Sequence, residues 1–346
     1  MTSRRLPVAI AMALAPLAGC TRPAPTVDGN PPPVALPVAL PVPGAARPVS
    51  PPPVPAAIAS IRAVPSPMRG VTIDSVANLP AIVEAVQGLS SKPTIRLVFD
   101  PGTTPADYAS AVTALRPHAY LMGELVDSTA LRRISVDGMT RQARNFARAF
   151  AGQIDIWEIG NEVNGAWAGR NPEEINAKVL AAYRVIAGEF HLRTAITLNY
   201  WSGPDCYAKP WEPTLAFAQG MPAELREGTR LVLLSVYGTA CSPPQHPDAA
   251  ALARTLNRLA RLFPNARLGI GEIGAQGIVD GLPADPSLVE KQRIAQTYYG
   301  MQHELRLRVG NRFAGGYFWW YFRQDAVPRD KPETLWPELD RLLSGL

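Results

Sequence analysis

Histidine and cysteine are scarce in this chain, with four and three residues respectively among 346. The histidines lack any ligand-like spacing, which argues against a metal centre. No Gly-x-Gly-x-x-Gly pattern opens the first helical stretch, so a dinucleotide-binding fold is not expected. The net charge is only +5, with arginines scattered along the helical stretches. So diffuse a charge gives no reason to expect a nucleic-acid partner, and it leaves an acidic polysaccharide as one option among several.

The apolar run Leu6–Ala18, about thirteen residues long, is too short to span a bilayer as a mature helix. With Arg4 and Arg5 ahead of it, it reads as the core of a signal peptide covering residues 1–19. The Arg4-Arg5 doublet lacks the rest of a twin-arginine signal. Leu17-Ala18-Gly19-Cys20 resembles the lipobox of bacterial lipoproteins, in which cleavage precedes a cysteine that is then lipidated. The plainer reading is an ordinary signal peptide with a chance cysteine. Thr21, rather than an aspartate, follows Cys20. By resemblance to enterobacterial sorting, that favours the outer membrane.

Proline, alanine and valine dominate from Thr21 to about Pro67. Each proline removes a backbone donor and fixes φ, so neither a helix nor a central strand is expected there. Residues 20–67 are read as a disordered, extended linker, able to reach on the order of 100 Å at about 3 Å per residue. The remaining domain, 68–346, has about 280 residues, which suits one large α/β unit.

Within that domain short apolar runs alternate with longer amphipathic ones. The strand candidates are Met68–Ile73, Thr94–Phe99, Ala119–Leu125, Ile154–Ile159, Thr194–Tyr200, Arg230–Tyr237, Arg267–Glu272 and Gly316–Phe322. Near-continuous apolar strands belong to a parallel sheet buried on both faces. Asn171-Pro172-Glu173-Glu174 carries a cap residue, a proline and first-turn acids, and predicts a helix running through Phe190. His246–Phe263 and Pro286–Leu307 keep the same helical period. Eight strand–helix repeats indicate a (β/α)8 barrel, the TIM-barrel fold.

Two of these strands end on carboxylates. Trp157-Glu158-Ile159-Gly160 runs into Asn161-Glu162, and Gly269-Ile270-Gly271 runs into Glu272. A buried carboxylate is costly unless it has partners or a task. In a barrel both would lie at the C-terminal, catalytic face. Taken alone, each glutamate also fits a salt bridge at the barrel mouth. Together with Gly160-Asn161 and Gly271, the pair resembles the glycoside hydrolases of clan A, whose barrels carry an Asn-Glu acid/base at strand 4 and a nucleophilic glutamate at strand 7.

That resemblance implies that Glu162 is the acid/base, Glu272 the nucleophile, and Asn161 the partner of the sugar 2-hydroxyl. A retaining reaction requires the two carboxyls about 5–5.5 Å apart. Tyr237, at the end of strand 6, would donate to Glu272, or else is a core tyrosine. Arg96 on strand 2 would sit near the nucleophile, or else forms an internal ion pair. Trp319 and Trp320 compete for the role of sugar platform on strand 8, and Trp320 is preferred. Trp157 is expected to pack in the core and Trp201 to serve an outer subsite. Asn199, Asp74 and Glu124 either line the cleft or cap strand ends.

Export implies an oxidising compartment, so Cys206 and Cys241 are expected to form a disulfide. Both follow adjacent strands; free thiols and a metal site remain as alternatives. The sequence therefore predicts a lipid-anchored, monomeric, retaining glycosidase of the cell envelope, without cofactor, acting on a β-linked polysaccharide or oligosaccharide. The rival readings are a catalytically inactive barrel that binds glycans and a barrel hydrolase or lyase that uses its glutamates on metals.

Overall fold

The structure is a computed structural model, and it describes residues 61–241, 244–275 and 286–346. The expected signal peptide, Cys20 and the linker as far as residue 60 lie outside the described residues. Eight parallel strands close into a barrel in chain order: β1 (Met68–Ile73), β2 (Thr94–Val98), β3 (Tyr120–Glu124), β4 (Ile156–Gly160), β5 (Thr194–Asn199), β6 (Leu231–Val236), β7 (Arg267–Ile273) and β8 (Phe313–Trp319). This is a TIM barrel, as the repeat count indicates. Among the described residues no helix is long and apolar enough to cross a membrane.

The strands are buried on both faces, which explains why they read as continuous apolar runs. Outward residues such as Val71, Ile95, Trp157, Ile196, Val232 and Ile270 join the helices in one large apolar layer. A smaller cluster, including Met68, Met122, Ile156, Leu233 and Phe318, fills the barrel interior. Val64 packs against that inner cluster. Residues 61–67, counted with the linker on composition, thus lie against the N-terminal end of the barrel. Arg62 fixes them there: its guanidinium pairs with Asp155, its Nη1 donates to the Arg116 carbonyl at 2.8 Å, and it lies 4.9 Å from the Tyr120 ring centroid. The opposite, C-terminal rim is left for the cleft.

Most elements differ from their predicted bounds by one to three residues at an end, and three differ in a way that has a local cause. β8 starts at Phe313 and ends at Trp319, three residues earlier than expected at each end. Gly315 and Gly316 have φ of 75° and 115°; the strand predicted from sequence starts at Gly316, whereas both glycines lie inside β8. Any Cβ at Gly316 would run into the Ile270 carbonyl of β7. The helix from Pro172 holds α geometry to Tyr183 and continues as a π-helical turn over Arg184–Glu189. The last predicted helix is two, Leu288–Tyr299 and Gln302–Val309, broken at Gly300-Met301.

One backbone irregularity positions the site. Along β7, Leu268 and Ile270 face the helices, so strict alternation would also turn Glu272 outward. The β6–β7 register slips here: Leu234 pairs with Ile270 but Ser235 pairs with Glu272. This bulge turns Glu272 into the barrel and Ile273 out. Gly271 permits it, because a Cβ there would lie 2.6 Å from Leu233 Cβ and 3.0 Å from Thr197 Oγ1. We expect Gly271→Ala to destabilise the protein by about 1–3 kcal/mol through overpacking, measured by urea unfolding. A neutral effect would mean that the bulge has room to spare.

Candidate active site

A single guanidinium organises the C-terminal mouth of the barrel. Arg96, on β2, is 0% exposed. Its Nη1 donates to Glu272 Oε2 at 2.8 Å, and its Nη2 donates to Glu158 Oε1 at 2.9 Å. Nε lies 2.8 Å from Glu158 Oε2, giving a two-point contact with that carboxylate. Thr197, on β5, accepts from Nη2 at 3.1 Å and donates to Glu158 Oε1. Glu124, on β3, sits 3.6 Å from Nε, and neither of its oxygens has a hydrogen-bond partner. β3 and β4 are in register at Glu124 and Glu158, so these two carboxyls lie side by side.

Glu272 is 4% exposed and is held from three directions. Besides Arg96, the Tyr237 hydroxyl donates to Oε1 at 2.8 Å, and Asn161 Nδ2 lies 3.4 Å from Oε2. The Asn161 Oδ1 atom is buried without a partner, an acceptor left for something that enters the cleft.

Glu162 has different company. It adopts a left-handed backbone, φ 44°, in the turn that ends β4, a conformation uncommon for a non-glycine residue. Ser235 Oγ donates to its Oε1 at 2.6 Å, and Ser128 Oγ lies 3.3 Å from its Oε2. Ser235 is also the register partner of Glu272, so one serine on β6 lies next to both glutamates.

Burial sets the titration of this cluster, and the charges modify it. Desolvation and the neighbouring Glu158 push Glu124 well above the ordinary carboxylate range. It is therefore biased towards the neutral acid, although Arg96 beside it pulls the other way. Burial also raises Glu158, against the opposing pull of Arg96 and Thr197. Glu272 is pushed well above the ordinary carboxylate range by burial and by Glu162, even though Arg96 and the Tyr237 hydroxyl pull the other way. Glu162 is raised by burial and by Asp127, against Ser235, Ser128 and Arg96. Burial thus biases both mouth carboxyls towards the protonated form, Glu272 the more strongly, whereas their hydrogen-bond partners favour placing the proton on Glu162. A guanidinium only donates, so a proton on Glu272 would compete with Arg96. Hydroxyls accept as readily as they donate, so Glu162 can carry the proton without losing a partner.

Glu162, Glu272, Asn161, Tyr237 and Arg96 are thus brought together. Arg96 forms an ion pair of the kind weighed from the sequence, and one of its partners is Glu272. Trp320 lies just past the end of β8 with its ring centroid 5.9 Å from the Arg96 carbon, on the cleft side. Trp319 faces the helices and donates to Asp325 Oδ2 at 2.8 Å. Trp157 is core, packed near Phe99. Trp201 is half-buried at the rim and donates to the Tyr237 carbonyl at 3.3 Å. Asn199 is buried, its backbone clamped by the Asn164 side chain. Asp74 pairs with Arg323 at 2.7 Å, and Glu124 lies beneath the cleft rather than lining it. Cys206 and Cys241 are joined as a disulfide, Cα atoms 5.5 Å apart, tying the loop after β5 to the loop after β6.

Sequence reasoning passed over Glu158, Ser235, Thr197, Ser128 and Trp167. Glu158 carried a usable signal, a charged residue between Trp157 and Ile159 in an otherwise apolar strand. The serines and Thr197 carried none. Among the described residues, no group of His, Cys, Asp and Glu side chains could hold a metal ion.

No protein-family model matches the sequence, and no curated protein matches it. The fold has relatives among solved structures. A glycoside hydrolase family 5 enzyme from Prevotella bryantii is 12% identical with a TM-score of 0.56, over 84% of this chain and 96% of that one. A glucosidase from Croceicoccus marinus is 12% identical with a TM-score of 0.53, over 81% and 67%. A family 1 β-glucosidase from Thermotoga maritima, solved with isofagomine lactam, is 12% identical with a TM-score of 0.52, over 74% and 88%. At such identities the likeness is one of fold, and these neighbours are glycosidases.

The neutral Glu124 has a measurable consequence. A carboxyl raised in the folded state binds more protons there than in the unfolded chain. Its contribution to stability therefore falls as pH climbs from its unfolded pKa, about 4.3, towards its folded value. Glutamine has no proton to lose. We expect Glu124→Gln to gain stability over the parent as pH rises above about 5, with the two converging at lower pH, in urea unfolding across a pH series. A difference that shrinks as pH rises would contradict a neutral Glu124.

Proposed function

We propose that this chain is a retaining glycosidase that hydrolyses O-glycosidic bonds of a β-linked polysaccharide at the cell envelope. The observation that carries the reading is the unequal setting of two carboxyls at the barrel mouth, Glu272 buried and Glu162 half-buried. Glu272 is gripped by Arg96 and Tyr237, whereas Glu162 is met by two hydroxyls. The barrel likeness to known glycosidases supports the same class of reaction.

In the first step Glu162 donates its proton to the glycosidic oxygen as the bond to the anomeric carbon breaks. Glu272 attacks that carbon and forms a covalent glycosyl ester. In the second step Glu162, now a carboxylate, takes a proton from water, and the resulting hydroxide displaces Glu272. Configuration is retained and the acid is regenerated. With Glu124 and Glu162 neutral, Arg96 faces the charges of Glu158 and Glu272. The cluster is then net negative, which suits the positive charge that develops on the sugar ring. Asn161, with its free Oδ1, would accept from the sugar 2-hydroxyl. Trp320 supplies an aromatic face for the pyranose at the cleavage point, and Trp201 with Asn199 extends recognition along the rim.

The reading extends to location. A lipid on Cys20 and an extended linker would let a monomeric barrel work on glycans while tethered to the membrane, with the outer membrane as the expected site. Cys20→Ala should abolish incorporation of a radiolabelled fatty acid and release the protein into the soluble fraction. Undiminished lipid labelling would remove the anchor.

The central test uses a panel of envelope and plant β-glycans with sizing of products, alongside Glu162→Gln and Glu272→Gln. Loss of Glu272 should abolish turnover. Loss of Glu162 should cost roughly 10²–10⁴-fold, and less on aryl glycosides whose leaving group needs no proton. A 2-deoxy-2-fluoro glycoside should label Glu272 covalently, as read by mass spectrometry. Binding without release of new reducing ends, or full activity in either variant, would instead favour a glycan-binding barrel.

A further inference from the structure

Ser128 bridges the proposed acid to a tryptophan on the loop after β4. The Trp167 indole N–H donates to Ser128 Oγ at 3.1 Å, and Ser128 Oγ lies 3.3 Å from Glu162 Oε2. An indole nitrogen can only donate. Its bond therefore occupies one of the two lone pairs of the Ser128 oxygen and turns the hydroxyl proton away from the indole, which biases it towards Glu162. Ser128 is 3% exposed, so water has little room to supply an alternative partner.

The tryptophan is itself firmly held. Its ring lies against the backbone of Gly165, where any Cβ would intrude on the indole. Gly165 N donates to the Glu162 carbonyl at 2.8 Å, and Ala166 N donates to the buried Glu212 carboxyl at 2.6 Å. On its other side Trp167 meets the edge of Trp201, ring centroids 6.0 Å apart, and Trp201 meets Tyr207 at 5.4 Å. These rings are half-buried. They form a wall on the Glu162 side of the mouth, where a departing sugar would lie if the proposed function holds.

We propose that Trp167 is a positioning residue: it orients Ser128 to donate to Glu162, and so holds down the pH at which the acid gives up its proton. The same aromatic wall that receives the leaving group would then be wired to the group that protonates it. Other titratable groups also face Glu162: Asp127 after β3, Arg96 on β2, Glu272 on β7, Tyr237 after β6 and Tyr321 after β8. None of these lies on the Trp167–Ser128 path, so changes along that path isolate its contribution.

Trp167→Phe keeps an aromatic face and deletes only the N–H. Ser128 is then free to rotate and accept a proton from Glu162, which favours the protonated acid. Ser128→Ala removes the donor outright and should act in the same direction. The decisive measurement is 13C NMR titration of carboxyl-labelled glutamates in the full domain, with the Glu162 signal identified by its loss in Glu162→Gln. Both variants should move the Glu162 midpoint upward, Ser128→Ala by roughly one to two pH units, the worth of one hydrogen bond to a charged group, and Trp167→Phe by less. A midpoint that stays put, or moves down, in folded Trp167→Phe or Ser128→Ala would overturn the relay. The inference rests on the proposed role of Glu162, but the titration needs no turnover. If no glycan is cleaved, the glycosidase reading fails while the titration still decides the relay. With a cleavable aryl glycoside, the basic limb of kcat/KM should shift by the same amount. A uniform fall in rate with an unmoved limb would mean that Trp167 only packs.

Discussion

Arg96 is the constraint on which the rest of this mouth depends. A guanidinium with no solvent exposure must be matched by anions, and three carboxyls gather around it from β3, β4 and β7. Such a cluster is weak evidence for stability, because taking its charges out of water costs several kcal/mol per ion. Its value lies in what it fixes. It holds one face of Glu272 in a single orientation and keeps that oxygen as an acceptor, while burial and Glu158 raise Glu124 against its pull. The settings of the two mouth glutamates differ because Arg96 and Tyr237 meet one and two serine hydroxyls meet the other.

The barrel supplies this arrangement by breaking its own regularity at a few places. Strict alternation along β7 would send Glu272 towards the helices, and the bulge at Gly271 returns it to the lumen. The chain leaving β4 adopts a left-handed turn at Glu162, so that Asn161 reaches Glu272 while Glu162 reaches Ser235 and Ser128. The disulfide then ties together the loops that carry Trp201 and Tyr237. The bulge at Gly271 and the left-handed turn at Glu162 both lie at the C-terminal rim, where they aim the two carboxyls.

Much of the fold was legible because a parallel barrel buries both faces of its strands, so each strand announces itself as an apolar run. β8 was misread at its start because the glycine pair looks like a boundary, yet Gly315 lies against Pro67 and Met68 and Gly316 admits the close approach of β7. The two glutamates stood out as charges ending apolar strands. Glu158 was equally anomalous but lay inside its strand, where attention to strand ends did not reach. Ser235, Ser128 and Trp167 were illegible for a different reason. Their significance is a matter of which atoms they meet across the barrel, and no local pattern encodes that. Glu124 shows the converse: its position at a strand end was readable, but its neutrality depends on the carboxyl beside it.

The central claim is that Arg96 keeps Glu272 ionised while Glu162 holds the proton. A neutron crystal structure of the deuterated protein near neutral pH would test it most directly. It should show a deuteron on Glu162 and on Glu124, and none on Glu272 or Glu158. A deuteron on Glu272 with a bare Glu162 would contradict the account and reverse the two roles.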